Sequence, residues 1–189
     1  MSKREKVLEV ATRLFAAKGF DGTSVRRIAE EAGLSVAGMF HYFPSKEEIL
    51  HEIMMRFMEE GLRKLTEICK SNEGPIEKLE EVCRFYAEYY AGHKDQLTIL
   101  ISEGKSLSLE HRKAFLEKQR QYLNAVRNLF RDLAREGLLK KIDFTVLAFL
   151  FFGMVHWTFS WYNPKGKVKP AELGRILSEV FLRGILRTV

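Results

Sequence analysis

Residues 24–43 read Ser24-Val25-Arg26-Arg27-Ile28-Ala29-Glu30-Glu31-Ala32-Gly33-Leu34-Ser35-Val36-Ala37-Gly38-Met39-Phe40-His41-Tyr42-Phe43. Val25, Ile28, Ala29 and Ala32 recur at helical spacing behind Thr23 or Ser24, either of which can cap a helix start. Gly33 tolerates φ > 0 at the turn that follows. Ser35 can then cap a third helix of about seven residues. Two short helices joined by a three- or four-residue turn containing glycine make a helix-turn-helix, whose second helix enters the major groove of DNA. An ordinary αα-corner of a helical protein fits the same pattern.

Outward from this stretch the apolar period stays helical. Val7, Ala11, Leu14 and Phe15 mark a first helix that Gly19 can end in a left-handed cap. Ser45-Lys46-Glu47-Glu48 supplies a capping box for a long helix, striped by Leu50, Met54, Phe57, Gly61, Leu65 and Ile68. Further helices are expected over 75–91, 95–104, 108–136, 143–162 and 170–187. Pro44, Pro75, Pro164 and Pro170 fall at their boundaries. No alternating strand pattern and no repeat occurs. The expected fold class is all-α with about nine helices: a helix-turn-helix unit over 1–46 and a larger helical body over 47–189, helix 46–70 being shared.

Composition narrows the function classes. The chain has 189 residues, 46% of them hydrophobic, with 31 Lys+Arg against 25 Asp+Glu. A packed core is feasible and global disorder is excluded. Cys69 and Cys83 alone cannot make a disulfide framework, and Met1-Ser2-Lys3-Arg4-Glu5-Lys6 is not an apolar leader. A cytoplasmic protein is therefore expected. Phe144 to Tyr162 carries no charged residue, but its aromatics are spread along it instead of gathered at two interfaces. A helix buried between a core and a partner subunit is the better reading, with no membrane. There is no P-loop, Gly-x-Ser-x-Gly, Cys-x-x-Cys or His-Glu-x-x-His, and the five histidines at 41, 51, 93, 111 and 156 are scattered. Neither an enzyme, a cofactor nor a metal site is read from these residues.

The run Lys18-Gly19-Phe20-Asp21-Gly22-Thr23-Ser24 through Leu34-Ser35, continued by Gly38-Met39-Phe40-His41-Tyr42-Phe43-Pro44-Ser45-Lys46-Glu47, resembles the N-terminal domain of TetR-type transcriptional regulators. The likeness covers roughly residues 4–52. It implies that Arg26 reaches bases or phosphates, and that Val36, Ala37 and Gly38 begin the recognition helix. It further implies that Phe40, His41 and Tyr42 form the aromatic cluster of that helix, and that Lys46 meets phosphate. Phe40 stands where the family commonly has Tyr. Helical periodicity would bury it with Val36, Met39 and Phe43, whereas the resemblance turns it toward DNA. Residues 1–51 hold eight Lys/Arg against seven Asp/Glu, so bulk charge adds little to the DNA-binding reading. Lys3, Arg4, Lys6, Arg26, Arg27 and Lys46 could still share one face.

The resemblance also implies that 47–189 is an effector-binding and dimerisation domain. Its aromatic residues fit a small-molecule pocket as well as a plain core. The expected lining is Tyr86, Tyr89, Glu103, Phe152, His156 and Trp157, the polar groups among them standing out in apolar runs. The tail from Phe152 to Ile185 resembles a TetR subgroup that includes regulators of fatty-acid and sterol breakdown. Members of that subgroup sense CoA thioesters, so an acyl-CoA or another long apolar compound is the expected effector. The basic loop with Lys165, Lys167 and Lys169 reads equally as a solvated connection. Helices 143–162 and 170–187 are expected to form a homodimer, the second through a stripe of Leu173, Ile176, Leu177, Val180, Phe181, Gly184 and Ile185. The expected partners are thus a double-stranded DNA operator, a second copy of the chain and a hydrophobic effector that releases repression.

Overall fold

Serine caps set the register of the N-terminal helices. In a computed structural model, which describes residues 1–187, α1 (Lys3–Lys18), α2 (Val25–Glu31) and α3 (Val36–Phe40) start behind Ser2, Ser24 and Ser35. Their side chains accept from the backbone N–H groups of Glu5, Arg27 and Gly38. Ser45 does the same for Glu48 at the start of α4 (Lys46–Cys69). Each cap satisfies an amide that the first helical turn leaves without a partner. Thr23, the alternative cap for α2, is instead buried, its hydroxyl donating to the carbonyl of Gly19 at 2.9 Å. Gly19 and Gly33 take φ of +75° and +71° and reverse the chain after α1 and α2.

The remaining elements are α5 (Pro75–Gly92), α6 (Lys94–Ser102), a 3-10 turn (Gly104–Ser106), α7 (Leu109–Arg135), α8 (Phe144–His156), α9 (Thr158–Trp161) and α10 (Pro170–Ile185). The fold is all-α among the described residues. One isolated bridge pairs Leu139 with Leu186. No helix among the described residues is long and apolar enough to cross a membrane.

The chain divides into two compact units. The first contains Met1–Glu59 with Lys94–Lys118, the second Glu60–His93 with Gln119 and the residues after it. Within the first, α1 packs against α2 and α6, and α2 against α3. The Glu31 carboxylate pairs with both Arg13 and Arg27, joining α1 to α2. Glu52 pairs with Arg4 and Arg56, and Arg56 also with Glu5, joining α1 to α4. Within the second, α10 lies closely along α5, and α8 also packs on α5.

Two expectations about the C-terminal helices are corrected. The segment 143–162 is not one helix: it breaks at Trp157, where the Thr158 hydroxyl donates to the Val155 carbonyl at 2.7 Å and Ser160 bonds back only three residues, to Trp157. The stripe expected on α10 is two stripes. Leu173, Leu177, Phe181 and Ile185 are buried, while Val180 and Gly184 face outward and Ile176 is half-buried.

Candidate nucleic-acid interface and effector site

In the reading head, α3 is too short to bury a whole apolar face. Met39 and, just beyond the helix, Phe43 supply the inner contacts and are almost fully buried. Val36 and Phe40 are turned out, 38% and 43% exposed. Periodicity would have buried Phe40; four residues of inward spacing are already satisfied by Met39 and Phe43, so the ring goes to solvent. Ala37 and His41 are also exposed, and Tyr42 meets the His41 ring edge-on at 5.4 Å. Gly38 is half-buried, and a Cβ there would stand 3.1 Å from the Ser35 hydroxyl that caps the helix.

The cations around this surface differ in what they already hold. Among the described residues Arg26 is exposed and forms no ion pair, whereas Arg27 and Arg4 are engaged with Glu31 and Glu52. Lys46 folds back: its ammonium donates to the carbonyls of Phe20 at 2.8 Å and Thr23 at 2.9 Å and lies over the Phe20 ring. Two of its three donors therefore hold the turn between α1 and α2 in place.

In the second unit, Tyr86 is the hub of an aromatic cluster. Its ring lies 5.1 Å from Tyr90, 5.6 Å from Phe151, 6.0 Å from Phe152 and 6.5 Å from Tyr122. The His156 ring sits 5.2 Å from Phe152 and 5.5 Å from Tyr90. Tyr86 is only 1% exposed, and its hydroxyl has no hydrogen-bond partner among the described residues. An unpaired buried hydroxyl costs about 1–3 kcal/mol. Tyr89 reaches Glu60 with its hydroxyl at 3.4 Å. Burial pushes the phenols of Tyr86, Tyr89, Tyr90 and Tyr122 upward, and it pushes His156 down to about 4, so the cluster is uncharged near neutrality. Gly61 makes room for it: a Cβ there would stand 2.2 Å from the Tyr122 hydroxyl.

Four of the six residues expected to line the effector site, Tyr86, Tyr89, Phe152 and His156, thus come together, with Tyr90 and Tyr122 added. Glu103 belongs to the first unit, at the end of α6, where it accepts from the Ser106 hydroxyl at 2.9 Å. Trp157 is 64% exposed; Val146, Phe149, Leu150 and Trp161 of the same unit are exposed as well. Tyr90 and Tyr122 escaped the sequence reading because isolated tyrosines at helical spacing are indistinguishable from core.

A capped helix pair presenting an exposed second helix, joined to a helical body with its own polar-in-aromatic centre, defines a helix-turn-helix DNA-binding regulator. Two family models agree. Residues 7–53 match "Bacterial regulatory proteins, tetR family", and residues 72–185 match "Tetracyclin repressor-like, C-terminal domain". The chain belongs to the TetR family of transcriptional regulators, which act by binding DNA and not as enzymes. It is 27% identical over 191 residues to the HTH-type transcriptional repressor KstR2 of Mycobacterium tuberculosis, covering 98% of this chain and 94% of that protein. The structure of the M. tuberculosis ketosteroid transcriptional regulator KstR2 superposes with a TM-score of 0.92 at 25% identity, over 99% of this chain and 96% of that one. A crystal structure of AibR in complex with isovaleryl coenzyme A and operator DNA superposes with a TM-score of 0.87 at 26% identity, over 95% and 97% of the two chains.

Proposed function

We propose that this regulator is a homodimeric repressor whose operator binding is released by a hydrophobic acyl-CoA-class effector. Arg26, Val36, Ala37, Gly38, Phe40, His41 and Tyr42 face the operator. Lys46 braces the reading head and offers its third N–H to a phosphate. Val36, Ala37 and Gly38 carry no hydrogen-bonding side chain, so readout leans on thymine methyls, Arg26 and DNA shape.

The observation that carries the effector reading is the Tyr86 hydroxyl, buried without a partner inside a ring cluster. A ligand that brings an apolar chain and one carbonyl oxygen supplies both the packing and the missing acceptor. The coenzyme A compound bound by AibR supports the class, and so does the ketosteroid regulation attributed to KstR2. Residues 1–46 serve as the DNA-binding domain and 47–189 as the effector and dimerisation domain. Helix α4 carries the signal, since Glu60 and Gly61 stand beside the Tyr89 and Tyr122 rings while the same helix begins at Lys46. A coupling of about 1–3 kcal/mol would loosen operator binding roughly 5–150-fold.

The test is fluorescence-polarisation binding to DNA immediately upstream of the protein's own gene, with acyl-CoAs of graded chain length. Specific binding released by acyl-CoA is expected. Tyr86→Phe should bind the same DNA as tightly, yet need at least about tenfold more acyl-CoA for release, the loss of one hydrogen bond of roughly 1.4 kcal/mol. Release unaffected by acyl-CoA discards the effector; no specific binding there or in a random-sequence selection discards the operator reading.

A further inference from the structure

A second group of polar side chains lies wholly within the first unit. Glu48 and His51 sit three residues apart on α4 and so share a face of that helix. His111 comes from the first turn of α7, and its imidazole stacks on that of His51 with centroids 4.0 Å apart and planes 12° from parallel. The Nδ1 of His111 is 2.7 Å from the Glu47 carboxylate, which also accepts the Ser108 backbone N–H at 2.7 Å. A carboxylate at Nδ1 holds the proton there and leaves the Nε2 lone pair facing the other way. What it faces is another acceptor, the Glu48 carboxylate oxygen at 3.3 Å. Beside them the His51 Nε2 is buried and has no hydrogen-bond partner among the described residues. The ligating atoms of Glu48, His51 and His111 all lie within 4.8 Å of one another.

Acceptors that converge in this way call for a cation between them. A proton on His111 would satisfy Glu48 but leave the His51 nitrogen unpaired. A metal ion satisfies all three. We propose that Glu48, His51 and His111 form a binding site for a divalent transition ion of the zinc class, with Glu47 as the carboxylate that orients His111. Two imidazoles and one carboxylate suit such an ion, whereas magnesium and calcium prefer oxygen ligands throughout. Bonds of about 2.0–2.1 Å in tetrahedral geometry separate ligand atoms by about 3.3 Å, the spacing His111 and Glu48 already have. Binding requires the His51 ring to rotate out of its stack on His111 so that its nitrogen reaches the ion, and the fourth position is left to water. A carboxylate on the outer nitrogen of a ligating histidine is the usual second partner in such sites.

The ion joins the first turn of α4 to the first turn of α7. That turn of α4 also carries Lys46, whose ammonium holds the turn between α1 and α2. Occupancy therefore stiffens the segment that follows the recognition helix, and it stabilises the folded chain by mass action.

The experiment uses the full chain, dialysed against chelator and titrated with Zn2+ by calorimetry and thermal unfolding, with Mg2+ in parallel. One Zn2+ per chain is expected, with a melting temperature that climbs as free Zn2+ rises and no response to Mg2+. Co2+ in place of Zn2+ should give the visible ligand-field band of a four-coordinate nitrogen–oxygen site. His51→Gln and His111→Gln should weaken binding at least about tenfold, and Glu47→Gln about 10–100-fold. His93→Gln, a histidine of the second unit, should leave it unchanged. Circular dichroism establishes that each variant is folded. Absence of saturable uptake by the folded protein overturns the site, as does uptake that survives both histidine substitutions. Should a variant fail to fold, the wild-type Co2+ spectrum decides: no tetrahedral band, no site.

Discussion

His156 brings a titratable ring into the aromatic cluster around Tyr86, and that position has a thermodynamic consequence. Burial holds its pKa at about 4 in the folded chain against 6.5 for the free side chain. On acidification the unfolded chain binds the proton first. The contribution to stability is therefore complete above about pH 6.5 and is lost as the pH falls toward 4. Between about pH 7 and pH 5 the loss should be about 2 kcal/mol. Urea denaturation at the two pH values measures it, and His156→Gln should flatten the difference. An unchanged difference in the variant would assign the acid sensitivity to other groups. The residue scale also shows what periodicity misses. A ring at position 40 is apolar and correctly spaced for burial, yet Met39 and Phe43 already fill the inner side of a five-residue helix.

Helix α10 is positioned by a glycine. A Cβ at Gly174 would stand 2.7 Å from the Arg84 Cα and 3.4 Å from the Ala87 Cβ on α5. The obstacle at Arg84 is backbone, which cannot rotate away, so the two helices would have to part. Gly174→Ala should cost about 1–3 kcal/mol, the usual penalty of overpacking, despite its better helix propensity. Chemical denaturation checks this, and a stabilised variant would mean that the helices are free to separate. Helices of this chain were legible in the sequence because serine caps, Gly turns and prolines act within a few residues. The break at Trp157 was not, because it depends on a threonine hydroxyl competing for a carbonyl inside an otherwise apolar run.

At the scale of the whole molecule, the second unit leaves an apolar face on α8 and α10. Val146, Phe149 and Leu150 on α8 and Trp157 just after it are exposed, as are Val180 and Gly184 on α10. Exposed large apolar side chains in such number mark an interaction site. If the proposed homodimer forms through this face, two recognition helices about 34–36 Å apart are expected on a pseudo-palindromic operator. Phe149→Glu combined with Val180→Glu should convert a dimer into a monomer by sedimentation. Operator affinity should then fall about 10²–10⁴-fold as the linkage between reading heads is lost. A double variant that stays dimeric would place the interface elsewhere.

The sequence by itself determined the helix-turn-helix, its caps and its glycine turn, the all-α class and the membership of the family, because those signals are local and repeat at helical spacing. The tertiary structure alone decided which side chains meet. It turned Phe40 outward and folded Lys46 onto two carbonyls. It gathered Tyr90 and Tyr122 around Tyr86, and left Trp157 exposed. It brought Glu47 and His111 together although 64 residues separate them in the chain. Contacts between distant residues are set by how helices pack against one another, and no spacing within a single helix records that.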